Sequence, residues 1–573
     1  MADSTHTANT PFIVGVLGYL DFDPHNGPRL HNAVTAFAAE IKRHLPDTEL
    51  QIIVGMLTSA DLLVVQSMLD LAVSVETVLP MPLEEYSRNF SADALTMLKD
   101  LSARPDIRCT ILRTPAQASA GDSCSSAQRH AMYANLTEAL SRRSSLLLTV
   151  WDGHSALPGG AANTGLRHVG VRSDGDASEA SLVMHAEVDD ADSADGLISW
   201  IPAAESAGAA IGTVPPSQQS MPAQLARQLA ELNGYNREFQ HLLADGRFDR
   251  RDSLLASLPG DARCDDRLML VEIDAQYAKA DALAVHFQWR SDRLFHLFGV
   301  MAFGMGLAYL IYDKLDQANS LLGAYLVLLL FGLAVYHALR DKHWFAKHLS
   351  YRAIAETMRA TFYLRLASLD QQVDAARVLA LSGINRFHGF GLITQVLTAV
   401  AVPDVHAAAN LDFDPQRSRY IEQTWIDSQH RYFVAKVAKL KRSSLRMKRL
   451  KNVLFFVVLL VIIALFLFDR TMRRSNVAPG VSLEKLLTFF EGLLALLLGV
   501  WQLHEGKMAS RELLWQYRNL RNHFARARQK LSRLTTSSER NDILVALGRD
   551  SLMESYLWTI HRYHREHEPP GKN

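Results

Sequence analysis

The chain predicts an α/β Rossmann-like doubly wound parallel sheet at the N-terminus, followed by an all-α membrane domain with four transmembrane helices. Three observations carry this. Residues 11–205 alternate short apolar runs with helical patterns. Residues 294–312, 320–339, 452–468 and 486–503 are four spans of 17–20 residues almost without charge, the length a helix needs to cross a hydrocarbon core of about 30 Å. From Pro222 onward the segments between and after the spans read as helical.

Phe12–Leu17 (FIVGVL) is an apolar run ending at Gly18 and reads as the first strand. Residues 30–45 are helical and 50–56 form a second strand. Residues 61–73 form an amphipathic helix with Asp61 at its N-cap. Residues 75–79 are a third strand, stopped by Pro80 and Pro82. Residues 84–103 read as helical, 109–112 as extended and 128–143 as helical. The run 145–151 (SLLLTVW) shows no alternation, as expected of a strand buried on both faces. Residues 197–201 supply one more strand. Strands alternating with helices imply a parallel sheet. Residues 205–222 are rich in small residues and contain three prolines, which marks a linker.

The expected order is therefore a ligand-binding domain at 11–205, linker and helices at 206–290, and a first membrane hairpin at 291–340. A helical block follows at 341–451, then a second hairpin at 452–503 and C-terminal helices at 504–573. Residues 453–468 are apolar on every side, which soluble helices rarely are. Residues 429–451 hold nine Lys/Arg and no acid, so the positive-inside rule places this segment in the cytoplasm. Two hairpins then put both termini in the cytoplasm of a multi-pass inner-membrane protein. Arg470, Arg473 and Arg474 in the last outer loop run against the rule but are fewer.

The net charge is zero, but residues 1–200 hold 25 Asp/Glu against 13 Lys/Arg. That acidic front argues against nucleic-acid polymers, whose phosphates need a basic footprint. Small nucleotides remain compatible, because helix N-termini and glycine loops hold phosphate without net positive charge. Cys109, Cys124 and Cys264 are odd in number and lack metal-ligand spacing, so neither disulfides nor a metal is expected, nor a resident cofactor. The N-terminus has no basic and apolar leader, so no cleaved signal peptide is expected.

Three motifs fall at successive strand ends. Gly15 and Gly18 close the first strand, with Asp21 just beyond. Ser59 and Asp61 follow the second. Asp152 and Gly153 follow the buried strand at 145–151, and Gly159, Gly160, Asn163 and Thr164 come next. Each alone is consistent with an ordinary turn or cap. Together they mark the carboxyl edge of the sheet, where ligands bind in such folds. Among the helices, Arg352, Glu356 and Arg359 share one helical face and suit an ion-pair ladder or a coupling surface. Glu491 is the one acid inside a span, a candidate pore or gating residue. Ala302 with Gly306, and Ala495 with Gly499, are small pairs four apart that permit close packing and a homo-oligomer.

The first 205 residues resemble the SLOG superfamily, the Rossmann-like group of LOG phosphoribohydrolases, DNA-processing DprA proteins and the N-terminal regions of TRPM channels. The matching stretches are Val14 to Gly18, Ser59 to Leu63, Val78 to Tyr86 with Asn89 and Phe90, and Trp151 to Gly153 with Gly159 and Gly160. His348 to Arg359, then Trp425, Ile426, Gln429 and Tyr432, are similar to the SLATT-type helical region of bacterial SLOG-linked membrane proteins. So are Leu547 to Arg549, Glu554, Trp558, His561 and Arg562. This resemblance implies a cytoplasmic sensor of a nucleotide-like ligand joined to a membrane effector in prokaryotic conflict systems. LOG-type enzymes carry PGG-x-GT-x-x-E. Here Ala162 and Asn163 replace the Gly-Thr and Leu166 stands in place of the Glu, so hydrolysis is not expected. Gly18-Tyr19-Leu20-Asp21 also lacks the basic residue that membrane members often carry in this loop. A constitutive channel and a nucleotide hydrolase are the competing readings. Membrane lipids and a small nucleotide-like ligand are the expected partners.

Overall fold

The computed structural model describes residues 9–18, 22–86, 92–112, 126–151, 197–202, 223–248, 253–255, 267–370, 372–373, 375–384, 389–400, 415–474, 476–478, 481–508, 510–534 and 536–563. The chain divides into two compact units. One comprises Met1–Leu283, Arg352–Ile421 and Thr536–Tyr556; the other comprises Ala284–Tyr351, Glu422–Thr535 and Leu557–Asn573.

The first unit is built on a six-stranded sheet. Its strands are β1 (Phe12–Leu17), β2 (Leu50–Val54), β3 (Ser74–Leu79), β4 (Ile107–Ile111), β5 (Leu146–Trp151) and β6 (Leu197–Pro202). They lie in the order β4-β3-β2-β1-β5-β6 and every pair is parallel. Phe12–Leu17 is buried throughout, and a strand apolar on both faces belongs in the middle of a covered sheet. In β4, Arg108, Cys109 and Ile111 are exposed, which suits an edge.

The helices of this half are α1 (Gly27–His44), α2 (Ser59–Asp70), α3 (Leu83–Tyr86), α4 (Ala92–Ser102) and α5 (Ser126–Arg143). Helix α1 starts earlier than residue 30 because a 3-10 turn at Pro24–Asn26 leads into it and a proline occupies its first turn. Strand β2 stops at Val54, and Met56 two residues on takes a left-handed φ of 49°. The helix expected at 84–103 is two helices, α3 and α4, with 87–91 outside the described residues.

Downstream come α6 (Ala223–Ala244), α7 (Arg267–Lys314), α8 (Asn319–Leu339), α9 (Trp344–Leu366), α10 (Ala375–Ser382), α11 (Gly391–Val400) and α12 (Pro415–Ile421). A π-turn at Glu422–Asp427 precedes α13 (Ser428–Arg474). The hairpin of β7 (Asn476–Ala478) and β8 (Val481–Ser482) leads to α14 (Leu483–Met508), α15 (Ser510–Leu531) and α16 (Ser537–Tyr563).

The sheet is completed by segments far away in sequence. Helix α11 packs on β1, α5 and α6, and Ala399 joins a core of Ile13, Leu17, Ile53, Leu136 and Leu147. Thr10, just before β1, donates its N–H to Asn236 at 3.2 Å and its hydroxyl to Gln276 at 2.7 Å. Lys279 is wholly buried, donates to Thr10 and Asn236, and sits 4.0 Å over the Tyr235 ring. The compact unit holding the sheet therefore reaches well beyond residue 205. Within the same unit the Thr357 and Tyr556 hydroxyls bond at 2.8 Å, joining α9 to α16.

Among the described residues, three helical stretches are long and apolar enough to cross a membrane: Met269–Lys314, Asn319–Leu366 and Gln416–Phe468, each lying mostly in the second unit and beginning or ending in the first. They contain the first three spans read from the sequence. The fourth expected span, 486–503, falls in α14, which is not among these three stretches. Glycine notches join α7 to α14: a Cβ on Gly306 would fall 2.4 Å from Leu496, and one on Gly492 would fall 2.5 Å from Leu310. Gly499 faces open space. Gly306→Leu is therefore expected to cost about 1–3 kcal/mol through overpacking, with Gly499→Leu near neutral. Thermal unfolding of the full chain in detergent reads the difference. At the other end of α13, Phe433 packs on Phe524 at 5.8 Å and Trp425 meets Phe524 at 6.2 Å, fastening α15 against α13.

Candidate functional site

An open parallel sheet binds ligands beyond its carboxyl ends where the connections reverse direction. Here that point lies between β1 and β5: β1 leads toward β2 on one side and β5 toward β6 on the other. The register pairs Leu17 with Thr149, so β1 ends at Leu17 close to where β5 ends at Trp151. Gly18 follows β1 directly. Asp152 and Gly153 follow β5 directly in sequence. Asp21, Asp152, Gly153, Gly159, Gly160, Asn163 and Thr164 all lie outside the described residues.

The next strand end is built around α2. Its N-cap is Thr58, not Asp61. Thr58 Oγ1 accepts from the Asp61 N–H at 3.0 Å, and Asp61 Oδ2 accepts from the Thr58 and Leu57 N–H groups at 3.0 and 2.8 Å. This is a capping box with Asp61 at its third position. The pattern Thr58-x-x-Asp61 was the readable signal; an acid before an apolar run drew the boundary two residues late. Ser59 is the first helical residue.

Gly18 lies against this cap. A Cβ there would stand 2.1 Å from Thr58 Oγ1, 2.6 Å from Asp61 Oδ1 and 2.8 Å from the Asp61 backbone nitrogen. Only glycine lets the end of β1 approach α2 so closely. Gly18→Val is expected to push the two apart and lower thermal stability. Gly15 sits deeper, buried within β1, where its missing side chain makes room for Ser144 and Leu147. The structure thus brings Gly18, Ser59 and Asp61 together, while Gly15 serves the packing of β1 on β5 and the end of α5.

Asp61 is 2% exposed, and its Oδ1 has no hydrogen-bond partner among the described residues. Burial pushes its pKa up to about 6, against the pull of the nearby Thr58, Leu57 and Gly18 backbone N–H groups. The neighbouring strand end adds groups that sequence reading did not assign to the site. Tyr86 is fully buried, and its hydroxyl donates to the Gly55 carbonyl at 2.9 Å. Burial raises its pKa, and the charge of Asp61 and the proximity of Tyr133 raise it further. Met56, fully buried in the left-handed region, adds backbone strain at the same edge.

The predicted ladder on α9 forms. Arg352 meets Glu356 at 2.6 Å and Arg359 meets Glu356 at 2.7 Å. Two residues of α7 complete it: Asp281 bonds Arg352 at 2.6 Å, and the Tyr277 hydroxyl accepts from Arg359 at 2.7 Å. Their part was hidden because they lie some 70 to 80 residues away. Glu491 is half-buried on α14, one residue before the Gly492 notch. Comparison of the chain with protein-family models, curated proteins and solved structures finds no match.

Proposed function

We propose that the protein is a membrane-anchored sensor–effector: a small nucleotide-like ligand binds at the carboxyl edge of the sheet and controls four membrane-crossing helices. The observation that carries this is the edge at β1, β2 and β5. A glycine-permitted close approach, a buried carboxylate oxygen without a partner among the described residues and a strained residue meet at the carboxyl ends of β1 and β2, next to the β1–β5 point where connections reverse. The resemblance to SLOG and SLATT proteins supports the same reading. With three N–H groups of the α2 cap already satisfied by Thr58 and Asp61, that end favours hydroxyl or amino donors of a ligand over its phosphate. The phosphate falls to Gly159, Gly160, Asn163 and Thr164 after β5.

The fourth span is α14, because Leu496 and Leu310 interlock with glycines at the level of the first span. Four spans and the basic segment at 429–451 give cytoplasmic termini in an inner membrane. Glu491 is the pore or gating acid, and Arg352, Glu356 and Arg359 form the coupling ladder. Ligand moves the spans only by binding one arrangement of the helices better than another. Arrays of such chains form homo-oligomers.

The test is calorimetry of the full chain in detergent against AMP, GMP, ADP-ribose and cyclic di-AMP. One of these is expected to bind the wild type and to bind Gly160→Asp at least tenfold more weakly. Absence of binding by all four sinks the sensor reading and leaves a constitutive channel.

A further inference from the structure

The basic segment read above as an orientation signal presents its cations on α13. The helix runs without a break from Ser428 into its apolar stretch, and its first non-helical residue is Phe468. Six cations on it, Lys439, Lys441, Arg442, Arg446, Lys448 and Arg449, are all exposed. None has an ion-pair or hydrogen-bond partner among the described residues. Leu445 and Leu450 between them are 48% exposed. Like charges so close on one helix repel, and a helix that keeps them in the open suits a surface that supplies the opposite charge.

Helix geometry separates the six into two sets. Arg446, Lys448 and Arg449 precede the first apolar residue of the span, Val453, by four to seven positions. At 1.5 Å per residue that is about 6–11 Å: Lys448 and Arg449 fall within a headgroup layer that adds roughly 5–8 Å on each side of the hydrocarbon, and Arg446 falls just outside it, within a side chain's reach. Lys439, Lys441 and Arg442 stand about 17–21 Å out, roughly 9–16 Å past that layer and so at or beyond one Debye length of about 8–10 Å. We infer that Arg446, Lys448 and Arg449 form a collar that binds the phosphates of anionic lipid headgroups in the leaflet from which α13 enters, which rests on α13 crossing the membrane. Topology alone needs only positive charge on that side; a collar needs it at one depth. Long side chains there reach phosphates while their stems lie along the helix.

The experiment titrates the full chain in detergent with fluorescent short-chain phosphatidylglycerol, with phosphatidylcholine and sodium phosphate as parallel arms. Two triple variants are compared: Arg446→Gln/Lys448→Gln/Arg449→Gln and Lys439→Gln/Lys441→Gln/Arg442→Gln. Thermal unfolding confirms that each folds. Phosphatidylglycerol is expected to bind the wild type, and the first triple to weaken it on the order of 100-fold at roughly fivefold per cation. The second triple is expected to change it less than fivefold. Equal binding of phosphatidylcholine overturns the proposal. So does equal weakening by both triples, which marks diffuse charge, and so does sodium phosphate binding as tightly as the lipid, which marks a free-anion site.

Discussion

Arg143→Met is expected to destabilise the sheet-bearing unit by about 3–5 kcal/mol. Arg143 closes α5, and its guanidinium grips Glu76 in the middle of β3, with Nη2 donating to Oε2 at 2.9 Å. Glu76 is 1% exposed and also accepts from Gln51 and Thr110, each at 3.2 Å. Removing the arginine leaves a carboxylate deep in the sheet with its counter-charge gone. The double variant Glu76→Gln/Arg143→Met is expected to recover much of the loss, since neither charge is then stranded. The pair also sets an acid limit. Burial drives the Glu76 carboxyl upward, but the charge and hydrogen bonds of Arg143, with help from Arg108 and Thr110, hold it below its ordinary value. A lowered folded pKa gives stability that is present above the unfolded value and lost as pH falls through the folded one. Thermal melts of wild type from pH 7 to pH 3 are expected to fall at the acid end, and those of the double variant to fall less.

The second large effect is at Asp61. Asp61→Ala leaves the Leu57 and Thr58 N–H groups without their acceptor and is expected to cost about 2–4 kcal/mol. Asp61→Asn keeps one accepting oxygen and is expected to be far milder. The pH sign here is opposite to that of Glu76. A carboxyl raised to about 6 binds its proton more readily in the folded state, so stability rises as pH falls from 6 toward the unfolded value near 3.8. Melts at pH 7 and pH 5 are expected to show this gain in wild type and to lack it in Asp61→Asn. If both proteins respond to pH alike, Asp61 is not the titrating group.

Patterns local in sequence were the readable ones. Phe12–Leu17 needs no context, because six apolar residues before Gly18 fit only a covered strand. The spans inside α8 and α13 are equally plain, since an apolar run of that length has few other homes, while the span inside α7 is fainter because His296 and several small residues interrupt it. The α2 boundary was missed by two residues because a capping box depends on Thr58 as much as on Asp61. What could not be read was non-local. Nothing near Thr10 announces Asn236, Gln276 or Lys279, and nothing near β1 announces that Ala399 joins its core. Asp281 and Tyr277 were likewise invisible beside the ladder they complete. At the candidate site, spacing marks Gly18 as a ligand glycine, and its close approach to Thr58 and Asp61 comes only from the fold.

The central claim is that the sheet edge controls the membrane helices, and potassium efflux from liposomes holding the full chain tests it most directly. AMP, GMP, ADP-ribose and cyclic di-AMP are added in turn to wild type and to Gly160→Asp. The account predicts that the compound bound in calorimetry raises efflux at least tenfold in wild type and leaves the variant at its resting leak. An unchanged leak with that compound at saturation contradicts it.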